Sequence, residues 1–181
     1  ESLSDIHLDW LGDTYWDTKT EKFDLTDTFK VFEKTMRGYG KDKLALANSR
    51  SRLRMVTLYQ VAQTVGGIVV GTGNKVEDYG IGFYTKYGDG GVDIAPIADL
   101  YKTEVWELGR HLGVDERICD AIPTDGLWDD DRKDEDQIGA SYEELEEAME
   151  YRRGPALDIL DEFNMKNKHK MEPIPTFKLK L

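Results

Sequence analysis

A chain of 181 residues, 39% hydrophobic and 33% charged, is sized for one soluble domain with a large polar surface. Its net charge of -12 argues against a nucleic-acid duplex as partner, because that affinity comes largely from cations placed on phosphates; small anionic ligands need only a few local cations and backbone N–H groups. No apolar run approaches the roughly 20 residues of a membrane span, and the single cysteine, Cys119, excludes an internal disulfide and fits a reducing cytoplasm.

The first residue is Glu1 rather than Met and no secretory pattern follows it, so the chain is expected to begin downstream of the gene's start. The segment from Glu1 to Trp16 reads as a helix followed by a loop. Lys22-Phe23-Asp24-Leu25 reads as a short strand. Thr26 is then the expected N-cap of a helix carrying Phe29, Phe32 and Met36 on one face, closed by the turn Gly38–Asp42. A long helix is predicted from about Leu44 to Val65, with Met55, Leu58, Tyr59, Ala62 and Val65 as its apolar stripe. Three arginines precede that stripe. Arg52 and Arg54 flank it and Arg50 points away, so the three cannot share one ligand.

Ile68-Val69-Val70 reads as a buried strand running into the polar turn Gly71-Thr72-Gly73-Asn74-Lys75. In open α/β sheets ligands sit just beyond the carboxyl ends of strands, which puts Thr72 on the usual ligand edge. The run beyond Glu77 is rich in glycine (Gly80, Gly82, Gly88, Gly90, Gly91), and such backbone can approach a ligand closely. Asp99 is the expected cap of a helix through Leu112, ended by Gly113. Lys102 then stands in the first helical turn, where the helix dipole disfavours a cation; an anion at the helix start would account for it.

Pro123-Thr124-Asp125-Gly126 is a turn, and Trp128 to Gln137 is a solvated acidic loop. Ser141-Tyr142-Glu143-Glu144 is a capping box opening a helix, with Arg152, Arg153 and Gly154 at its end. Pro155 starts another helix with Leu157 and Leu160 inward. Residues 165–181 read as a C-terminal arm, either docked or frayed.

On residue type alone, Thr72, Glu77, Lys86, Asp89, Asp93, Lys102 and Thr124 are the candidates for chemistry. Hydroxyls, lysines and glycine backbone suit phosphate, and carboxylates suit magnesium, which takes few protein ligands and completes its shell from phosphate and water. Neither GxxxxGK[ST] nor GxGxxG occurs at the strand end. Cys119 has the setting of a small packing residue, and His7, His111 and His169 show no metal-ligand spacing. These residues support an α/β nucleotide-binding domain and no particular reaction.

Four ordered motifs, GTGNKVE, YTKYGDGG, PIADLYKTEVWELGRHLG and DEDQIGASYEELE, together with LALANSRSRLRM upstream, resemble the synthetase domain of the NAD(+) synthetase family. The similarity covers about Lys22 to His169. It implies a Rossmann-like parallel sheet flanked by helices, the adenine nucleotide alpha-hydrolase-like fold of the N-type ATP pyrophosphatases, in a single domain over 1–181 and usually as a homodimer. The implied reaction adenylates the carboxylate of deamido-NAD with ATP, releasing pyrophosphate. Ammonia then displaces AMP to form NAD. By resemblance, Thr72, Lys102 and Thr124 contact ATP, Glu77 binds Mg2+, and Arg52, Lys86, Asp93, His169 and Lys170 hold deamido-NAD. No residue is implied as a covalent catalyst; positioning and charge neutralisation carry the reaction.

One departure stands out. The family's SGGxDS loop, which wraps ATP phosphates and supplies a magnesium-binding aspartate, does not occur in these residues. The fold is therefore expected to be incomplete at the N-terminus, and the 181 residues alone are expected to bind ATP weakly and not to turn over. A nitrilase-like glutaminase domain or partner is a second source of ammonia in such systems. Two competing readings are another ATP pyrophosphatase amidotransferase, against which TKYGDGG argues, and a non-catalytic nucleotide-binding or dimerisation module.

Overall fold

The structure is a computed structural model and describes residues 2–128, 130 and 132–179. Asp129 and Asp131 of the acidic loop and the last two residues of the arm lie outside the described residues. The helices are α1 (Leu3–Thr14), α2 (Thr26–Thr35), α3 (Lys43–Val65), α4 (Lys102–His111), α5 (Glu116–Cys119), α6 (Asp134–Ile138), α7 (Tyr142–Tyr151) and α8 (Leu157–Met171), with a π-helix over Val76–Ile81 between α3 and α4.

The core forms where the π-helix packs on α7 and α8. Val76 and Ile81 meet Tyr142, Leu145, Ala148 and Leu160, all buried, with Trp106 of α4 and Phe163 of α8 at the margin. Each large apolar side chain sequestered there contributes on the order of 1.5–3 kcal/mol. The glycine-rich run is what permits the approach. Gly82 has φ +60°, and a Cβ there would stand 2.6 Å from the Cβ of Asn167 on α8.

Local signals set most helix ends. Asp42 accepts from the Ala45 N–H and opens α3, which closes on left-handed Gly66. Ser141 accepts from the Glu144 N–H while the Glu144 carboxylate accepts from the Ser141 N–H, which is the reciprocal cap expected of α7.

Several expectations are corrected. Lys22–Leu25 is not a strand. It has no neighbouring strand to pair with, Phe23 is 57% exposed, and the Asp24 carboxylate instead accepts from the Thr26 N–H, so α2 begins at Thr26 with Leu25 in the cap position. Ile68–Val70 makes only one parallel bridge, Val70 to Ile94; the Gly71 N–H donates to the Ile94 carbonyl and the Asp93 N–H to the Val69 carbonyl. No longer ladder forms among the described residues, so the parallel sheet is reduced here to that pair. Asp99 does not cap α4. It pairs with Lys75, and the helix opens at Lys102 with the Glu104 carboxylate accepting from the Tyr101 N–H. Within the C-terminal arm, residues 165–181, α8 continues through Met171, and from 172 to 179 the chain is non-helical and exposed.

The stripe on α3 is only partly covered. Ala62 is buried, but Leu58 and Val65 are exposed, as are Ile68, Val70 and Ile94 nearby. The chain thus presents an apolar face along α3 and the bridged pair.

Candidate active site

The loop from Gly71 to Lys75 turns the chain out of the bridge and into the π-helix. Asn74 is 2% exposed, and its side-chain carbonyl accepts from the N–H groups of both Val76 and Glu77. This cap starts the π-helix and aims Glu77 across at α4. Short π-helical turns are frequent at functional sites.

Lys102, the first residue of α4, places its Nζ 2.9 Å from Oε1 of Glu77 and 4.9 Å from the centre of the Tyr142 ring. The Tyr142 hydroxyl donates to the same Oε1 at 2.8 Å and lies 3.3 Å from Oδ2 of Asp134. The α4 start meets its anions within the protein: Thr103 donates from both its N–H and its hydroxyl to Glu146 of α7. The cation at the helix start therefore has a fixed carboxylate partner on the π-helix.

Thr72, Glu77, Lys102, Thr124 and Asp134 all line one cleft of about 460 Å3, with Ser51, Arg54 and Asp89 on its far wall. A larger hollow of about 620 Å3, between α2 and α3, contains none of the residues singled out from the sequence as nucleotide ligands. The turn bearing Thr124 is clamped to α3: Arg54 donates to the Gly126 carbonyl at 2.8 Å and Arg50 to that of Leu127 at 2.7 Å. Thr124 itself is exposed.

Two carboxyls around the cleft are strongly perturbed. Burial, followed by the neighbouring Glu77 carboxylate, pushes Asp134 up to about 6. Burial and then Glu77 do the same to Asp78, also to about 6. Burial, followed by the Glu77 and Asp134 carboxylates, pushes the Tyr142 phenol well above its ordinary range, which keeps its proton available to donate. Asp134 is 7% exposed, and its Oδ1 has no hydrogen-bond partner.

That orphaned oxygen bears on magnesium. A hard cation takes oxygen donors, and magnesium usually takes one or two carboxylates with phosphates and water. Glu77 and Asp134, sharing one hydroxyl, supply that donor set. Among the described residues no cluster of three acidic, histidine or cysteine ligands exists, so the rest of a shell would come from outside these side chains.

The residues expected to hold deamido-NAD fall beside the cleft. The Arg52 Nε donates to the Lys86 carbonyl, and Lys86 Nζ donates to the His169 carbonyl at 2.6 Å, joining α3, the glycine-rich loop and α8. Lys170 reaches the carbonyls of Gly82 and Tyr84 at 2.7 and 2.8 Å, and its burial pulls its pKa down. Asp93 is not part of this group. It accepts from the Tyr59 hydroxyl and the Val69 N–H, bracing the bridged pair.

Four further residues matter here that composition and spacing do not single out. Asn74 caps the π-helix, Tyr142 joins the two carboxylates, and Asp134, expected in a solvated loop, is buried beside them. Ser51, 4% exposed, exchanges hydrogen bonds with Asp89, whose carboxylate also accepts from the Thr85 N–H. A Cβ at Gly88 would stand 2.2 Å from Oγ of Ser51, so only glycine lets the loop lie on α3. The one local signal was the GTGNK string, whose asparagine stands just ahead of a helix start.

Comparison with known proteins bears on this arrangement. The NAD synthase family model matches residues 14–176. An NH(3)-dependent NAD(+) synthetase of Carboxydothermus hydrogenoformans is 44% identical over 131 residues, 71% of this chain and 53% of that protein. One from Thermoplasma volcanium is 38% identical over 170 residues, 90% of this chain and 68% of that protein. Among solved structures, the NMN synthetase of Francisella tularensis superposes with a TM-score of 0.88 at 29% identity, covering 97% of this chain and 73% of that one. The chain thus spans about half to two thirds of the length of these curated relatives.

Proposed function

The chain belongs to the NAD synthase family, and we propose that its full-length protein amidates deamido-NAD to NAD with ammonia, at the expense of ATP. A carboxylate is a poor electrophile. Transfer of AMP from ATP to the nicotinate carboxylate releases pyrophosphate and turns that oxygen into part of a good leaving group. Ammonia adds at the carbonyl, loses a proton and expels AMP. The enzyme's task is to hold two polyanions together and neutralise the leaving phosphates.

The observation that carries the reading is the pairing of Lys102 with Glu77 at the mouth of a cleft that also holds Thr72 and Thr124. In this reading Lys102, Thr72 and Thr124 contact ATP, and Glu77 holds Mg2+, which when bound would offset charge on the phosphates. Arg52, Lys86, Asp93, His169 and Lys170 serve deamido-NAD. The Arg52, Lys86 and Lys170 side chains are engaged with backbone carbonyls, so their contribution to the substrate is a loop and helix edge of fixed shape, whereas Asp93 stands apart on the bridged pair. The proposed assembly is a homodimer in the cytoplasm, with a parallel sheet completed beyond the Val70–Ile94 pair. Among the described residues no helix is long and apolar enough to cross a membrane.

A second reading differs in the substrate. The TM-score of 0.88 is to a protein titled an NMN synthetase, which favours the mononucleotide acid as the amide acceptor. The curated relatives, at higher identity, favour the dinucleotide. Steady-state amidation of deamido-NAD and of nicotinate mononucleotide in parallel separates the two. A kcat/KM at least tenfold higher for deamido-NAD is expected, and the reverse order would transfer the assignment to the mononucleotide.

A further inference from the structure

We propose that Tyr142 is a positioning residue for the ATP end of the cleft: its hydroxyl fixes the Glu77 carboxylate and its ring seats the Lys102 ammonium, so that one buried side chain sets the geometry of both. The proposal rests on the functional reading above and deepens it.

Tyr142 opens α7, one residue after the Ser141 cap, and is 0% exposed. Trp106 holds its ring edge-on, with centroids 6.1 Å apart and planes 77° apart. Phenylalanine would fill that space equally well. A buried hydroxyl is costly unless it is bonded, so its presence points to its partners. The shorter contact, 2.8 Å, goes to Oε1 of Glu77, and the longer, 3.3 Å, to Asp134. A phenol has one proton to give, so Glu77 is the principal acceptor. Oε1 of Glu77 thereby takes two donors, Tyr142 and Lys102, which pin the carboxylate in one rotamer. The ammonium lies 4.9 Å from the centre of the Tyr142 ring, the range of a cation–π contact. Because Tyr142 is buried in the cluster that joins the π-helix, α7 and α8, it ties the site to the hydrophobic core.

The test is Tyr142→Phe in the full-length protein, with steady-state kinetics in both substrates. KM for ATP should rise about tenfold, as for loss of a hydrogen bond to a charged group. KM for deamido-NAD should stay within about twofold. A role in packing alone would lower thermal stability without separating the two KM values. Tyr142→Phe should also be non-additive with Glu77→Gln: the double variant should have the KM for ATP of Glu77→Gln alone. If Tyr142→Phe does not fold, 3-fluorotyrosine at position 142 retains the shape and strengthens the donor, and it should shift KM for ATP alone. An active parent whose variants keep the parental KM for ATP overturns this assignment only. A parent with no ATP-dependent amidation overturns the functional reading as well.

Discussion

At the residue scale, Lys102 and Asp134 show how one cleft handles opposite charges. Lys102 is mostly covered, with side-chain exposure of 18%, and its partner Glu77 has 17%. Truncating one member of such a pair leaves the other uncompensated. Lys102→Ala should lower kcat/KM for ATP by about 10²–10³, the usual loss on removing a preorganised charge-stabilising donor. An unchanged kcat/KM would remove Lys102 from the site. Asp134 works in the other direction. Its carboxyl titrates near 6 in the folded protein against an ordinary 3.8, so between those values the native state binds the extra proton. Stability therefore falls as pH rises through that window, and Asp78 acts in the same sense. Asp134→Asn, which cannot ionise, should be more stable than the parent at pH 8 and show a flatter decline between about pH 4 and pH 6 in urea titrations. Parallel declines would mean that Asp134 does not titrate there.

At the element scale, local grammar was legible and cross-chain grammar was not. The Ser141 capping box and the position of Lys102 in a first helical turn both rest on spacings of three residues or fewer, and both occur in the structure. The cap of α4 was misplaced by a few residues because the carboxylate at the start, Glu104, lies inside the helix and reaches back. Lys22–Leu25 had the alternation of a strand, yet alternation without a partner gives no ladder. The bonds of Ser51 to Asp89, of Tyr142 to Glu77, and of Arg54 to Gly126 join residues far apart in sequence, which no periodicity can encode. Asn74 is the intermediate case. Its bonds are local, but they open a π-helix, which has no simple sequence signature. Asn74→Ala should destabilise the protein by about 1–2 kcal/mol, a typical N-cap loss, and should also raise KM for ATP by releasing Glu77. Chemical denaturation together with initial rates checks both; lost stability with unaltered KM would separate the cap from the site.

At the scale of the whole molecule, the distribution of apolar surface is the main observation. The π-helix, α7 and α8 bury their apolar faces against one another, whereas Leu58 and Val70, in the lining of the cleft, and Val65, Ile68 and Ile94 remain exposed. Contiguous exposed apolar surface marks an interaction face. The homodimer proposed above accounts for it, and Val65→Lys with Ile68→Lys should shift the full-length protein toward the monomer in sedimentation velocity. An unaltered mass would place the subunit contact elsewhere. The resemblance carried by GTGNKVE and YTKYGDGG reached the family without the sheet, because the motifs lie in loops whose spacing survives where strand pairing is sparse.

Joining ammonia to an adenylated nicotinate carboxylate is the reaction proposed for the cleft. It is tested by incubating the full-length protein with deamido-NAD, ATP, Mg2+ and 15N-labelled ammonium and identifying the products by NMR and mass spectrometry. NAD labelled at the carboxamide nitrogen is expected, with AMP and pyrophosphate formed in equal amounts. Unlabelled deamido-NAD recovered intact, or ADP and phosphate in place of AMP and pyrophosphate, would contradict it.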